Sequence, residues 1–361
     1  MTSLDSYVTL GRSGLRVSPL SLGTMTFGED TGWGASPETA EAILAEYLDR
    51  GGNVVDTANI YTNGHSERIV GDFLAARPGL RDRIVLGTKF FANLHPGDPN
   101  GGGAGRKALI AQLDESLRRL RTDYVDLLWL HGWDRHAPVE ETLRTLHDLV
   151  TAGRVRYVGF CNVPAWVAAR SQTIAEFRGW APLTALQLEY SLLQRTSEGE
   201  LLPMAGALGV GVLPWSPLRG GHLSGKYVRD GGAPAGSLRA GVGEGPTERD
   251  WAVIDAVAQV AEQVGVSAAE VALAWVRSRP AVVSTLVGAR TVEQLRANLA
   301  SLDTDLAPEH LAALDEASTP SLDFPAAINA GPAPLLGFGG ASVDGVRLPT
   351  WPTLLTSSAR Y

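Results

Sequence analysis

The amino-acid sequence predicts an α/β protein folded as a (β/α)8 barrel, and three observations carry that expectation. Apolar runs recur at 19–22, 53–55, 84–86, 125–130, 155–160, 183–188, 210–215 and 282–287, each too short for a helix. Several are near-continuous rather than alternating, as parallel strands buried on both faces should be. Longer segments of helical period lie between them, which is the alternation of a barrel. An open doubly wound sheet is the competing arrangement, but it usually carries a Gly-rich phosphate turn after its first strand. Here the first run is followed by GTMTFGED, and no G-x-G-x-x-G follows any run.

Taken in order, residues 1–17 read as a short β-hairpin ahead of the first barrel strand. Ser36-Pro37-Glu38 opens a helix with an N-cap and a proline at its first position, and Gly51 closes it. A second helix is expected near 66–77. Leu109/Ile110, Leu113, Leu117 and Leu120 form one apolar stripe. Val139, Leu143, Leu146 and Leu149/Val150 form another, ending at Gly153. Further helical segments fall near 164–177, 249–264, 268–278 and 292–302. Residues 219–247 hold nine glycines, four basic and two acidic residues, and read as a long mobile loop after the seventh strand. Residues 321–361 form an extended Pro/Gly-rich C-terminal tail. The expected division is a barrel over 1–320 and this tail over 321–361.

Composition removes several function classes. The 361 residues are 44% hydrophobic and 19% charged, enough for a large core. A net charge of −8 argues against a nucleic-acid binder, which needs a basic face. The single cysteine, Cys161, excludes an intrachain disulfide framework. The N-terminus lacks a basic segment followed by an apolar one, so no signal peptide is expected. The uncharged stretches 201–218 and 324–343 are each interrupted by three prolines, and neither reads as a membrane span. The expectation is a soluble, cytoplasmic protein with no membrane partner.

In such a barrel the reactive groups sit where strands end. Asp56 ends the second run, Lys89 follows the third, His131 follows the fourth, and Tyr61 lies five residues beyond Asp56. Singly, each has an ordinary structural explanation: a turn cap, a solvated strand end, a core histidine, a packed tyrosine. Together they form a coherent acid site. A phenol titrates near pH 10, and a lysine ammonium beside it should lower that value. An aspartate would hold the lysine, and a histidine would donate to a carbonyl oxygen as charge develops on it. The set suits hydride addition to an aldehyde or ketone.

With these residues in view, the chain resembles the aldo-keto reductase family. The matching segments span about residues 8–318. They are LGRSGLRVSPLSLGTMTFG, NVVDTANIYTNGHSERIVG, TK at 88–89, VDLLWLHGWD, PVEETLRTLHDLVTAGRVRYVGFCN, QLEYSLLQR, PWSPLRGGHLSGKY and GARTVEQLRANL. The resemblance implies the same barrel, with Asp56, Tyr61, Lys89 and His131 as the catalytic tetrad and Tyr61 as general acid. It also implies a bound nicotinamide. Gly288 and Arg290, with Gln294 and Asn298 one turn apart on the following helix, match positions that hold the adenosine 2′-phosphate and adenine, which implies NADPH. Asn162 and Gln187 match residues that hold the carboxamide, and Trp215 matches the aromatic stacked on the ring. Ser216, Leu218 and the basic loop near Lys226 would line the pyrophosphate.

One position departs from the family pattern. Cys161 stands where serine is common, either as a weaker hydrogen-bond donor or simply as a small buried residue. Gly220 to Lys226 fits G-x-x-x-x-G-K, but Tyr227 stands where a P-loop needs Ser or Thr. The histidines and the cysteine show no zinc spacing, so no metal is expected. Trp33, Phe91 and Trp133, with Met25 and Tyr190, fall in loops of the reactive face and are candidates for a pocket that takes a bulky or flat carbonyl compound. The tail, which matches no family segment, is a candidate to shape that pocket. A rival reading is an NADPH-binding sensing or regulatory subunit with little catalysis of its own. Substrate, direction and oligomeric state are open at this stage.

Overall fold

In the computed structural model the eight runs become eight parallel strands: β3 (Leu20–Gly23), β4 (Val54–Asp56), β5 (Val85–Phe90), β6 (Val125–Leu130), β7 (Val155–Cys161), β8 (Leu183–Glu189), β9 (Gly211–Trp215) and β10 (Thr285–Val287). The structure describes residues 3–227, 229, 245–356 and 359. Hydrogen bonding runs in the order β10-β3-β4-β5-β6-β7-β8-β9. A bridge between Val212 and Val282 joins the two ends. The fold is thus the expected (β/α)8 barrel. The expected hairpin is β1 (Val8–Thr9) with β2 (Arg16–Val17), and its Leu10 and Val17 are buried with the barrel-interior side chains.

Helices fill each return. They are α1 (Pro37–Asp49), α2 (His65–Ala75), α3 (Arg106–Leu120), α4 (Val139–Thr151), α5 (Ala165–Arg178), α6 (Leu201–Leu208), α7 (Glu248–Val264), α8 (Ala268–Arg277) and α9 (Val292–Ala300). Ser36 caps α1 as expected, accepting from the Thr39 N–H at 3.3 Å. Thr247 with Asp250 and Ser267 with Glu270 form capping boxes at α7 and α8. The sequence reading assigns no helix between the sixth and seventh strands, whereas α6 lies there. Its Pro203 sits in the first turn, where an amide hydrogen has no intrahelical acceptor to lose.

The loop expected over 219–247 falls partly outside the described residues, at 228 and 230–244. Beyond α10 (Pro308–Ala317), the tail contains α11 (Ala326–Ala330), α12 (Pro332–Phe338), the hairpin β11 (Ser342–Val343) with β12 (Val346–Arg347), and α13 (Pro352–Thr356). Elements this short leave no periodicity to read. No helix among the described residues is long and apolar enough to cross a membrane.

Strand alternation decides what faces inward. Val54, Val85, Leu127, Trp129, Cys161, Ala185, Leu213 and Leu286 pack together inside the barrel. Leu86, Leu128, Val158, Phe160, Leu186 and Val212, one step out of phase, pack against the helices. Both faces are therefore apolar, and this produces the near-continuous runs. The Trp129 ring needs the bare backbone of β7. A Cβ on Gly159 would lie 2.3 Å from its Cε3. Gly159→Ala is expected to destabilise the fold by about 1–3 kcal/mol, read as a lowered urea midpoint at unchanged slope. An unchanged midpoint would show that Trp129 repacks freely.

Candidate active site

The inward phase of the strands, carried to their C-terminal ends, assembles the reactive cluster. Asp56 continues the phase of Val54, Lys89 that of Val85 and Gly87, and His131 that of Leu127 and Trp129. Lys89 is fully buried and Asp56 is 3% exposed. The Lys89 ammonium donates to Asp56 Oδ2, to the Thr57 carbonyl at 2.8 Å and to the Tyr61 hydroxyl at 3.1 Å, using all three of its donors. Tyr61 opens a tight turn, Tyr61–Gly64, in which Thr62, Asn63 and Gly64 all have positive φ, at 44°, 54° and 88°. The Thr62 hydroxyl pins this turn by donating to the Phe27 carbonyl at 2.9 Å and accepting from the Ser66 N–H at 3.0 Å. The Tyr61 and His131 rings meet edge to face, 5.9 Å apart.

Electrostatics fix the protonation states. Burial works to lower Lys89, but Asp56 and then Tyr61 outweigh it and hold its pKa above the ordinary lysine value. Burial raises the Tyr61 phenol, and the Lys89 ammonium only partly offsets this. The expected lowering of the phenol is thus reversed in net direction, because desolvation of the phenolate exceeds the attraction of one cation. Tyr61 therefore rests as a neutral O–H donor. Burial, with the Lys89 charge second, pulls His131 down to about 3 from 6.5. Its unfolded form binds the proton first, so its contribution to stability is present above pH 6.5 and fades as pH falls toward 3. His131→Gln is expected to flatten the pH dependence of the urea midpoint across that window. An unchanged slope would place the titration elsewhere.

Two residues outside the expected set brace these strand ends. Asn59 donates through its backbone to the Lys89 carbonyl at 3.2 Å and through its side chain to the Ala92 carbonyl at 2.9 Å. Gln112 accepts from the Phe91 N–H at 2.8 Å, holding a residue whose φ is 127°. Gln112 sits among the buried positions of α3, where a polar residue breaking the apolar stripe was the available signal.

A cleft of about 460 Å³ opens past the C-terminal ends of β9 and β10. Ser216, Leu218 and Lys226 form one side, and Gly288, Arg290, Gln294 and Asn298 form the other. Burial and then the Arg290 charge lower the Lys226 pKa, so two cations share the cleft. The Arg290 N–H donates to Gln294 Oε1 at 2.9 Å and the Asn298 amide to the Gly288 carbonyl at 3.1 Å, fixing the turn before α9. Thr26 and Tyr227 complete the walls and were not expected from sequence. Tyr227 is 7% exposed, and its hydroxyl has no hydrogen-bond partner among the described residues. A cleft that carries two cations and an unsatisfied buried hydroxyl fits a dinucleotide phosphate. Trp215, which precedes the cleft residue Ser216, donates from Nε1 to Asn162 Oδ1 at 3.0 Å, and Asn162 Nδ2 donates to the His131 carbonyl at 3.2 Å. Asn162 and Ser216 both have positive φ, near 54° and 55°. Gln187, expected at the carboxamide, is 3% exposed and donates to Asp56 Oδ1 at 3.2 Å.

Residues 19–319 match the model of the aldo/keto reductase family. The chain belongs to the aldo/keto reductase family. Among its relatives, an oxidoreductase of Bacillus subtilis, YrpG, is 38% identical over 86% of this chain and 95% of its own length. The norsolorinic acid reductase stcV of Emericella nidulans is 37% identical over 87% of this chain and 82% of its own. A putative aryl-alcohol dehydrogenase of Saccharomyces cerevisiae, AAD14, is 34% identical over 87% and 86% respectively. This aldo/keto reductase is accordingly an oxidoreductase of small carbonyl compounds, in a family that generally uses a nicotinamide cofactor.

The aromatic positions expected around the substrate of this aldo/keto reductase separate. Trp33 lies in the wall of the cleft with Arg290. Phe91 stands against Gly132, whose Cβ would lie 3.3 Å from its ring. Trp133 lines a neighbouring groove. Met25 is 41% exposed and lines neither the cleft nor the groove. Tyr190 is corrected: it is 1% exposed, packs on Trp275 with ring centroids 5.5 Å apart and donates to Glu198 at 2.6 Å. A ring so enclosed belongs to the core. Cys161 is fully buried in the barrel interior, and burial pushes its thiol up, so it is an inert small side chain here.

Proposed function

We propose that this chain reduces an aryl aldehyde or ketone with NADPH, Tyr61 donating the proton. The observation that carries the reading is the buried Lys89, which joins Asp56 to Tyr61 beside a neutral His131. Arg290 and Lys226 would hold the cofactor's phosphates, Asn162 its carboxamide, and Trp215 the nicotinamide face. When bound, NADPH supplies the hydride that forms the new C–H bond. The Tyr61 O–H gives its proton to the carbonyl oxygen, and Lys89 stabilises the phenolate left behind. His131 donates a hydrogen bond from its neutral N–H to the same oxygen, so it directs the carbonyl without competing as an acid.

Phe91 and Trp133 near the strand ends, and a relative named for an aryl alcohol, support the aryl preference. Residues 1–320 form the catalytic unit in this reading. The tail over 321–361 shapes the pocket, supported by Asp323, Phe324 and Ala326 in the groove beside Trp133. The test is the rate of NADPH oxidation with a simple benzaldehyde in wild type and in Tyr61→Phe. A Tyr61-dependent rate supports the reductase. Tight NADPH binding without turnover of any aldehyde would favour a cofactor-sensing subunit.

A further inference from the structure

Glu67 is fully buried and takes no part in the reaction above. It lies in the first turn of α2, directly after the tight turn that begins with Tyr61. Both of its carboxylate oxygens are engaged. Oε1 accepts from the Thr88 hydroxyl at 2.5 Å, and Oε2 accepts from Arg119 Nε at 2.6 Å.

Each partner leads back to a member of the reactive cluster. Thr88 is also fully buried and precedes Lys89 on β5, sharing the helix-facing phase of Leu86 and Phe90. Arg119, on α3, lies against the last residue of the Tyr61 turn. A Cβ on Gly64 would fall 2.7 Å from Arg119 Cδ and 2.8 Å from its Nε. Glu115 steadies the guanidinium from one turn back, at 3.3 Å.

One carboxylate thus joins α2, α3 and β5 on the outer side of the barrel wall. On the inner side, the same turn and the same strand hold the Tyr61 hydroxyl 3.1 Å from the Lys89 ammonium. The Thr62 hydroxyl, which also pins the turn, bonds to Phe27 and Ser66 and so does not reach β5. Among the described residues, Glu67 to Thr88 is the side-chain hydrogen bond between α2 and β5. Proton donation depends on that inner distance, since a drift of about 1 Å in a reacting group can cost about 10²-fold. We propose that Glu67 is a positioning residue, which with Arg119 and Thr88 holds the Tyr61 turn at hydrogen-bond distance from Lys89. This rests on the reductase reading above, and it adds how the proton donor is kept in register.

Removing the Glu67 carboxylate would leave Arg119 unpaired and threaten the fold, so the test acts on Thr88. Thr88→Val keeps the branched shape and removes the hydroxyl, whereas Thr88→Ser keeps the hydroxyl. Neither changes a charge. In Thr88→Val the single-turnover rate of NADPH oxidation with benzaldehyde is expected to fall about tenfold, while the aldehyde KM and NADPH affinity change less than about twofold. Thr88→Ser should recover most of that rate. In the free protein, NMR of ring-labelled tyrosine reads the same effect without turnover, the Tyr61 resonance being assigned by its loss in Tyr61→Phe. That resonance should move in Thr88→Val and return in Thr88→Ser. A lowered urea midpoint with the Tyr61 resonance and the rate unchanged would make the link structural only and overturn the proposal. So would a Thr88→Ser variant that recovers neither. No turnover in wild type, while the Tyr61 resonance still follows the hydroxyl, would count against the reductase reading and leave the positioning role standing.

Discussion

Tyr61→Phe is expected to lower kcat by about 10²–10⁴-fold while the affinity for NADPH changes less than about twofold. The substitution keeps the ring that meets His131 at 5.9 Å and removes only the hydroxyl held 3.1 Å from Lys89. The loss therefore reports proton donation and not packing. His131, held neutral by a pKa pulled down to about 3, still orients the carbonyl but is no substitute acid at neutral pH. Steady-state kinetics with a benzaldehyde and a fluorescence titration with NADPH separate the two effects. A variant that retains its kcat would remove Tyr61 from the chemistry. One that loses cofactor affinity in parallel would move it to the cofactor site.

Arg290→Ala is expected to weaken NADPH by about 10–150-fold and NADH by less than about threefold. That range corresponds to about 1.5–3 kcal/mol for hydrogen bonds to a charged group. Burial and then the Arg290 charge lower the Lys226 pKa, and a cofactor phosphate bound between the two cations would relieve their repulsion. With Arg290 gone, Lys226 remains as a single cation, so binding weakens without vanishing. The dissociation constants of both cofactors, measured at one ionic strength, decide the matter. Equal losses would mean that Arg290 shapes the turn before α9 and does not read the 2′-phosphate.

The strand ends were legible because parallel strands buried on both faces leave a strong apolar signal. The next polar residue on the inward phase then lands in the site, and Asp56, Lys89 and His131 follow from that alone. The segments around Gly288 and Lys226 were legible as a turn before a helix and a basic, glycine-rich stretch, and one cleft gathers both. Other features carried no local mark. Pro203 disguised α6, since a proline in a first turn and one that breaks a helix look alike in sequence. Tyr190 reads as a loop aromatic until Trp275 and Glu198 close over it.

By itself the sequence determined the barrel, its order of strands and the identity of the residues at the strand ends, because alternation and capping are local properties of the chain. The tertiary structure decided which of those residues meet and in what protonation state. Burial depends on everything packed around a group, and it raises the Tyr61 phenol where the neighbouring lysine alone would have lowered it. It also decided the groove, whose walls come from three separate parts of the chain, around Trp133, Ser197 and Asp323, and have no common signature along it.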